Sequence, residues 1–404
     1  MPPPESTDES LLPLPYRALE PAQKQQRLQE LALLFLKLGA IAFGGPAAHI
    51  AMMNEEVVRR RQWMSSEKLL DLLGITNLIP GPNSTELAIH IGYERAGWRG
   101  LIIAGCCFIL PAMLLVWVLA AIYVQYQSVP QAAWLLYGVK PVIIAIVLQA
   151  LWKLGKTAIK DWTTAIAAAT VVGLFFSGSN EIWLLLLAGL GVMVIKARKQ
   201  QTKIISGWLP VGLSPIGLLA QVPQSTTPVN PSWGSVFLFF LKVGSVLYGS
   251  GYVLLAFLQR ELVERSQWLS SQQLLDAVAI GQITPGPVFT TATFVGYLLA
   301  GNAGALAGTI GIFLPSFVFV ILVNPWVTKL RQSVWASGFL DGVNAASLGL
   351  MFVVTWQFGI AALTDVVTII LAVLSAIAVF RFRINSAWLV LAGAAIGFVT
   401  QAFF

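Results

Sequence analysis

Charge is scarce in this sequence. Asp, Glu, Lys and Arg make up 11% of its 404 residues, against 57% hydrophobic side chains. A soluble globular chain carries roughly 25% charged residues. The shortage excludes a protein that covers itself with polar surface, and the wealth of apolar residues excludes intrinsic disorder. Cysteine is nearly missing. Cys106 and Cys107 are adjacent inside an apolar run, so a disulfide-stapled secreted scaffold is excluded as well. Residues 1–30 have no basic segment feeding a short apolar core, and no signal peptide is read there.

What is present in quantity is long hydrophobic runs, which place the chain among all-α polytopic membrane proteins. The net charge of +7 then reports on loop topology rather than on nucleic acid, which is not an expected partner. Residues 1–30 are Pro-rich with three basic and five acidic side chains, and are read as a mobile tail.

The chain is written twice. Phe35-Leu36-Lys37-Leu38-Gly39 returns as Phe240-Leu241-Lys242-Val243-Gly244, Gln62-Trp63 as Gln267-Trp268, and Pro80-Gly81-Pro82 as Pro285-Gly286-Pro287, all at an offset of 205. Gly92-Tyr93, Pro111, Gly138, Trp152 and Asp161 recur as Gly296-Tyr297, Pro315, Gly342, Trp356 and Asp365 at an offset of 204. Such self-similarity marks an internal repeat. The expected division is a first repeat over 31–197, a linker over 198–232 and a second repeat over 233–404. Each repeat holds six apolar elements, in the first at about 31–53, 67–94, 99–126, 131–158, 161–178 and 181–197. The Pro-Gly-Pro triplets interrupt the second element of each, since proline lacks the amide donor and clashes with the preceding turn.

Loop charge predicts how the halves are related. In the first, loops 54–68, 94–99, 153–161 and 196–203 are basic, while 127–130 is uncharged and 178–181 carries Glu181 alone. The second half reads nearly as the complement: Arg260 and Arg265 are balanced by Glu261 and Glu264, 297–303 is uncharged, and basic residues stand at Lys329, Arg331, Arg381 and Arg383. Complementary loops mean opposite orientations. The expected fold is two inverted-topology repeats, each with about five crossings plus a re-entrant, broken helical hairpin. That plan places a binding site between broken helices near the bilayer midplane.

A half-helix starting after each triplet points unpaired amides and a positive dipole end at the turn, an arrangement that binds anions. The candidate binding residues are Pro80, Gly81, Pro82, Asn83, Ser84 and Thr85 in the first half, and Pro285, Gly286, Pro287, Thr290 and Thr291 in the second. The alternative is that these hydroxyls merely cap helices. Lys37 and Lys242, in matching apolar runs, are candidates either for the site or for snorkelling to the headgroups. Gly44 and Gly45, before Pro46, allow close backbone approach or a helix break. Glu86 and His90 share a helix face and are candidates for proton coupling; they do not make a metal site, and neither metal nor other cofactor is expected. Lys140-Pro141 breaks the fourth element, where the second half has Asn344-Ala345. Gly100 and Ala104, matched by Gly304 and Gly308, form small-residue faces for tight helix packing.

Phe43-Gly44-Gly45-Pro46, Arg60-Arg61-Gln62-Trp63 and Pro80-Gly81-Pro82-Asn83-Ser84 together resemble the chromate ion transporter family, and the two-half plan resembles its long-chain members over about 31–400. The resemblance implies efflux of chromate across the inner membrane, with sulfate as a related tetrahedral dianion. It also implies that Gly44, Gly45, Pro46 and Pro80 to Ser84 are the motif residues. The second half departs from the pattern, with Tyr248-Gly249-Ser250-Gly251 at the first turn and Val288-Phe289 after the second.

Export suits the physics. An inside-negative potential gives an outgoing dianion about 4.6 kcal/mol per 100 mV. The expectation is a non-enzymatic secondary transporter working by alternating access in the lipid bilayer, with a homodimer allowed. An oxyanion channel, a carrier of sulfate or another oxyanion, and an intramembrane enzyme using Glu86 and His90 are the competing readings.

Overall fold

A computed structural model describes residues 16–43, 45–126, 129–201, 231–248, 253–323, 333–382 and 384–403. Gly44, Gly249-Ser250-Gly251, Lys329, Arg331, Arg383 and linker residues 202–230 lie outside them. The described residues are helical and contain no strand. The first half runs α1 (Pro21–Ile41), α2 (Gly45–Met53), a π-helical turn (Asn54–Arg60), α3 (Ser66–Thr76), α4 (Asn83–Tyr126), α5 (Pro130–Ala158), α6 (Trp162–Phe176) and α7 (Glu181–Gln201). The second repeats the order: α8 (Trp233–Val246), α9 (Leu254–Leu258), a π-helical turn (Gln259–Arg265), α10 (Ser271–Ile283), a 3-10 turn (Val288–Thr290), α11 (Thr291–Val323), α12 (Val334–Ala362), α13 (Val366–Arg381) and α14 (Ser386–Phe403).

Two boundaries differ from the sequence expectation. Helix α1 starts at Pro21, whose fixed φ suits a first turn, so residues 21–30 are helical rather than part of a mobile tail. The single element expected over 31–53 is two helices, separated where Gly45 takes φ +76°. The interruption at Pro80-Gly81-Pro82 falls between α3 and α4, and that at Pro285-Gly286-Pro287 between α10 and the 3-10 turn.

The loop expected at 94–99 shrinks to one reversal. Gly97 adopts φ 61°, ψ −150°, and Gly301 adopts φ 60°, ψ −146°. The chain folds back so tightly that a Cβ on Gly92 would strike the Gly100 carbonyl, which a straight helix would hold about 12 Å away. Gly296 meets the Gly304 carbonyl in the same way, and Gly308 packs on Ala292. The small-residue faces therefore seat the first arm of each helix against its own second arm. The repeats also share finer detail: Gln62 and Gln267 both take positive φ, and Asp161–Thr164 and Asp365–Thr368 form matching capping boxes.

Five described helices are long and apolar enough to cross a membrane, and α6, α8 and α13 are shorter apolar helices. Their outer faces are bare hydrocarbon, as at Leu114, Val118 and Ile122 along α4 and Val366, Ile370 and Leu374 along α13. Helices apolar even on their outward face fit lipid, and the chain is a polytopic helical membrane protein.

The halves interlock. Helix α5 packs against α13 and α14 of the other half, and α12 packs against α6 and α7. Backbone meets backbone at these crossings, with Gly138 against Gly393 and Gly397, and Gly342 against Ala188 and Gly189. Inside a bilayer such close contact supplies the van der Waals attraction that water-driven burial cannot.

Candidate functional site

Each Pro-Gly-Pro turn is anchored by the opposite half. The Gly81 amide donates to the Leu247 carbonyl (2.8 Å), just past the end of α8, and the Gly286 amide donates to the Ala42 carbonyl (2.9 Å), just past the end of α1. Both glycines take positive φ, +140° and +90°, and neither has room for a side chain. A Cβ on Gly286 would lie 2.7 Å from Ala112 Cβ, and one on Gly81 would strike Ser316 Oγ and Glu86 Oε1.

At the start of α4 the Pro82 carbonyl accepts from the Thr85 and Glu86 amides. The amides of Asn83 and Ser84 complete the first turn, which has no intrahelical acceptors for them. The Asn83 side chain donates to Asn77 Oδ1 at 2.7 Å, and Ser84 Oγ lies 3.1 Å from His49 Nδ1. The other ring nitrogen of His49 is 3.0 Å from the Ala42 carbonyl, the acceptor of the Gly286 amide. A carbonyl can only accept, so Nε2 carries a proton, and in the neutral ring Ser84 then donates to Nδ1. The chain Gly286–Ala42–His49–Ser84 thus joins the two turns through one buried imidazole, set edge-on to Phe108. The sequence reading missed His49; its position in a short apolar helix after a glycine break was the available signal.

The second turn is built differently. Thr290 Oγ1 donates to the Pro287 carbonyl and Thr291 Oγ1 to the Val288 carbonyl, each at 2.8 Å. These two hydroxyls donate to their own backbone. Thr85 Oγ1 and both ring nitrogens of His90 are buried without a hydrogen-bond partner. Glu86 is fully buried; Ser316 of the other half donates to its Oε1 at 3.3 Å, and its Oε2 has no partner. Glu86 and His90 share a face but are not hydrogen-bonded to each other.

Lys37 and Lys242 are placed elsewhere. They pair with Glu56 (2.8 Å) and Glu261 (3.3 Å), at matching positions of the two π-helical turns, and both lysines are about half exposed (50% and 48%). Glu56 also takes Arg60 and Arg61. The Lys37 hydrogen bond, opposed by desolvation and helped by Arg61, holds the Glu56 carboxyl below the usual carboxylate range.

A cavity of about 1290 Å³ reaches Asn83, just after the first turn, and Gly286 of the second, whereas Pro80, Gly81, Pro82, Ser84, Thr85, Pro285, Pro287, Thr290 and Thr291 do not line it. Gly45, Pro46 and Asn83 reach it from the first half, and Thr284, Gly286 and Val288 from the second. Its rim carries Lys153, Lys156 and Lys160. Lys160 is held by Asp341 at 2.6 Å, and Lys196 bridges Asp341 and Asp161 at 2.8 and 2.9 Å. The space is lined by the carboxamides of Asn77, Asn83, Gln149 and Asn344 and by the ammonium groups of Lys153 and Lys156, which suit a small anion, while the Asp341 carboxylate in the same wall is occupied by Lys160 and Lys196.

A family model described as chromate transporter matches residues 29–193 and again 234–398. The chain is 32% identical over 364 residues to a probable chromate transport protein of Synechococcus elongatus, covering 88% of this chain and 90% of that one. It is 31% identical over 379 residues to a chromate transport protein of Cupriavidus metallidurans, covering 91% and 92%. A chromate transport protein of Pseudomonas aeruginosa is 32% identical over 331 residues, 78% of this chain and 77% of that one. No solved structure matches the chain.

Proposed function

The chain belongs to the chromate transporter family, and on that premise we propose that it exports chromate across the inner membrane by alternating access, with the oxyanion held between the two Pro-Gly-Pro turns. The observation that carries the reading is one cavity lined by the rim lysines, by Asn83 just after the first turn and by Gly286 of the second. A tetrahedral dianion in that space meets the amides at the start of α4, the Asn83 carboxamide and the positive end of the helix dipole. By the positive-inside rule the lysine rim belongs to the cytoplasm, so the cavity loads from inside.

The halves are read as inverted. The cavity touches the C-terminal part of α5 and the N-terminal part of α12, its counterpart in the other half. Equivalent helices running in opposite directions favour that topology, as do the complementary loop charges. Rocking of one half against the other then exposes the turns to each side in turn. The membrane potential alone drives a dianion outward, and Glu86 is the candidate carrier of any coupled proton. Sulfate, equal in charge and similar in shape, is the competing cargo.

The test is radiolabelled chromate flux in proteoliposomes under an imposed potential, with sulfate and molybdate as competitors. Saturable flux that rises with an inside-negative potential is expected. Flux that never saturates makes the protein a channel, and full competition by sulfate at lower concentration makes sulfate the cargo.

A further inference from the structure

Among the described residues, Lys140 and Arg260 are the buried members of the Lys and Arg set. Arg260 is tied down, with Glu181 at 3.3 Å and the Phe175 ring at 4.4 Å. Lys140 instead lines a second cavity, of about 550 Å³. The two cavities lie at opposite ends of the same helices. The larger touches α5 at 146–158 and α12 at 337–348; the smaller touches α5 at 133–140 and α12 at 361–362. They therefore open toward opposite faces.

At the wall of the smaller cavity the Lys140 ammonium lies 3.1 Å from Asp276 Oδ1 on α10, and Tyr123 donates to Asp276 Oδ2 at 2.8 Å. Asp276 is 3% exposed. Its Oδ1 has the Lys140 ammonium as its close cation and no further hydrogen-bond partner. Pro141 follows Lys140 and offers no amide to the Tyr137 carbonyl one turn earlier, yet α5 runs unbroken from Pro130 to Ala158, so the break expected at Lys140-Pro141 is only a missing hydrogen bond. In the repeat register Asn344 stands where Lys140 does, and Asn344 lines the larger cavity. An amide supplies no ammonium, so this position offers a cation on one side of the protein and a neutral group on the other.

We propose that Lys140 is the cationic station for the oxyanion at the face opposite the lysine rim, and that Asp276 is the resident carboxylate that the substrate displaces from it. A carboxylate is itself an oxyanion, and it occupies the lysine as the cargo would. A dianion that leaves the helix ends for the far side needs a compensating charge inside the membrane, and Lys140 is the cation that lines its exit. The pair also ties α5 to α10, the helix that runs into Pro285-Gly286-Pro287, so its rupture releases the second turn as the far side opens. Asp276 keeps its bond to Tyr123 meanwhile and returns to Lys140 when the anion leaves.

The inference rests on the oxyanion-carrier reading, and one experiment separates them. Wild type, Lys140→Met, Asp276→Asn and the double variant are reconstituted, checked for melting temperature, and assayed for radiolabelled chromate efflux and equilibrium chromate binding. The double variant restores neutrality and is expected to melt near wild type yet lose flux by about tenfold or more, the worth of a charged hydrogen bond. Asp276→Asn is expected to bind chromate more tightly and turn over more slowly, because no carboxylate competes for the ammonium. If the double variant transports like wild type, or Asp276→Asn binds with unchanged affinity, the pair is a structural strut and the proposal fails. If wild type moves no oxyanion at all, the carrier reading falls first and this proposal with it.

Discussion

His49 Nδ1 lies 3.1 Å from Ser84 Oγ, and through that contact a helix from before the first Pro-Gly-Pro turn reports on both turns at once. The imidazole touches the second residue of α4 and, by way of the Ala42 carbonyl, shares an acceptor with Gly286. Movement of either turn must stretch one of these bonds.

Replacing the ring by an apolar one of similar size, His49→Phe, keeps the packing on Phe108 but removes two hydrogen bonds, each contributing about 1 kcal/mol. Chromate flux is expected to fall severalfold while the protein still folds. Flux at the wild-type rate would show that the turns move independently of the imidazole.

Asn83→Leu and Ser84→Ala remove polar groups from the start of α4 without touching its backbone amides. Transport should drop in both with little change in melting temperature. Undiminished activity in reconstituted vesicles removes these side chains from the binding site.

Gly286→Ala combines a left-handed backbone with a Cβ 2.7 Å from Ala112. Strain of this sort costs about 1–3 kcal/mol, so melting temperature and flux should both fall. Gly359→Ala is the control, since a Cβ there meets nothing within 4 Å. Equal behaviour of the two variants would contradict the tight seating of the second turn.

On the proposed reading the rim lysines serve to gather anions by their field rather than to bind them in the site. Lys153→Gln and Lys156→Gln should raise the KM for chromate, leave maximal flux unchanged, and weaken the dependence of KM on salt. A fall in maximal flux with constant KM is the contrary result.

Acid should loosen two carboxylate clusters outside the membrane spans. Lys37 holds Glu56 low. At Asp161 desolvation pushes upward, but hydrogen bonds from Thr163, Lys196 and Thr164 outweigh it and hold the carboxyl well below its ordinary value. A depressed carboxylate stabilises the fold fully above its unfolded value and loses that contribution as pH falls through the folded one. Melting temperature should therefore decline below about pH 4, and Glu56→Gln and Asp161→Asn should each flatten the decline. A parallel decline in both variants removes these groups as its cause.

The helix breaks were legible because proline and glycine act locally. Pro80-Gly81-Pro82 and Pro285-Gly286-Pro287 declare themselves in a few residues, whereas the fold-backs at Gly97 and Gly301 read as ordinary loops. The partners of those breaks were not legible. Ser84 finds His49 through a turn of the chain that no helical period describes, and Asp276 finds Lys140 only when the second half docks on the first. Lys37 and Lys242 were ambiguous for the same reason: the carboxylates that hold them, Glu56 and Glu261, stand beyond a break whose direction a linear pattern does not give. Thr290 and Thr291 show the limit from the other side, since hydroxyls that look available in a string are consumed by their own backbone.

Because Gly138 of α5 rests on Gly393 and Gly397 of α14, the nascent first half enters the bilayer with a seam that nothing made so far can close. That seam stays open to lipid until α14 is made, more than two hundred residues later. A change that removes α14 would therefore leave α5 unfinished, and not merely the segment that is lost.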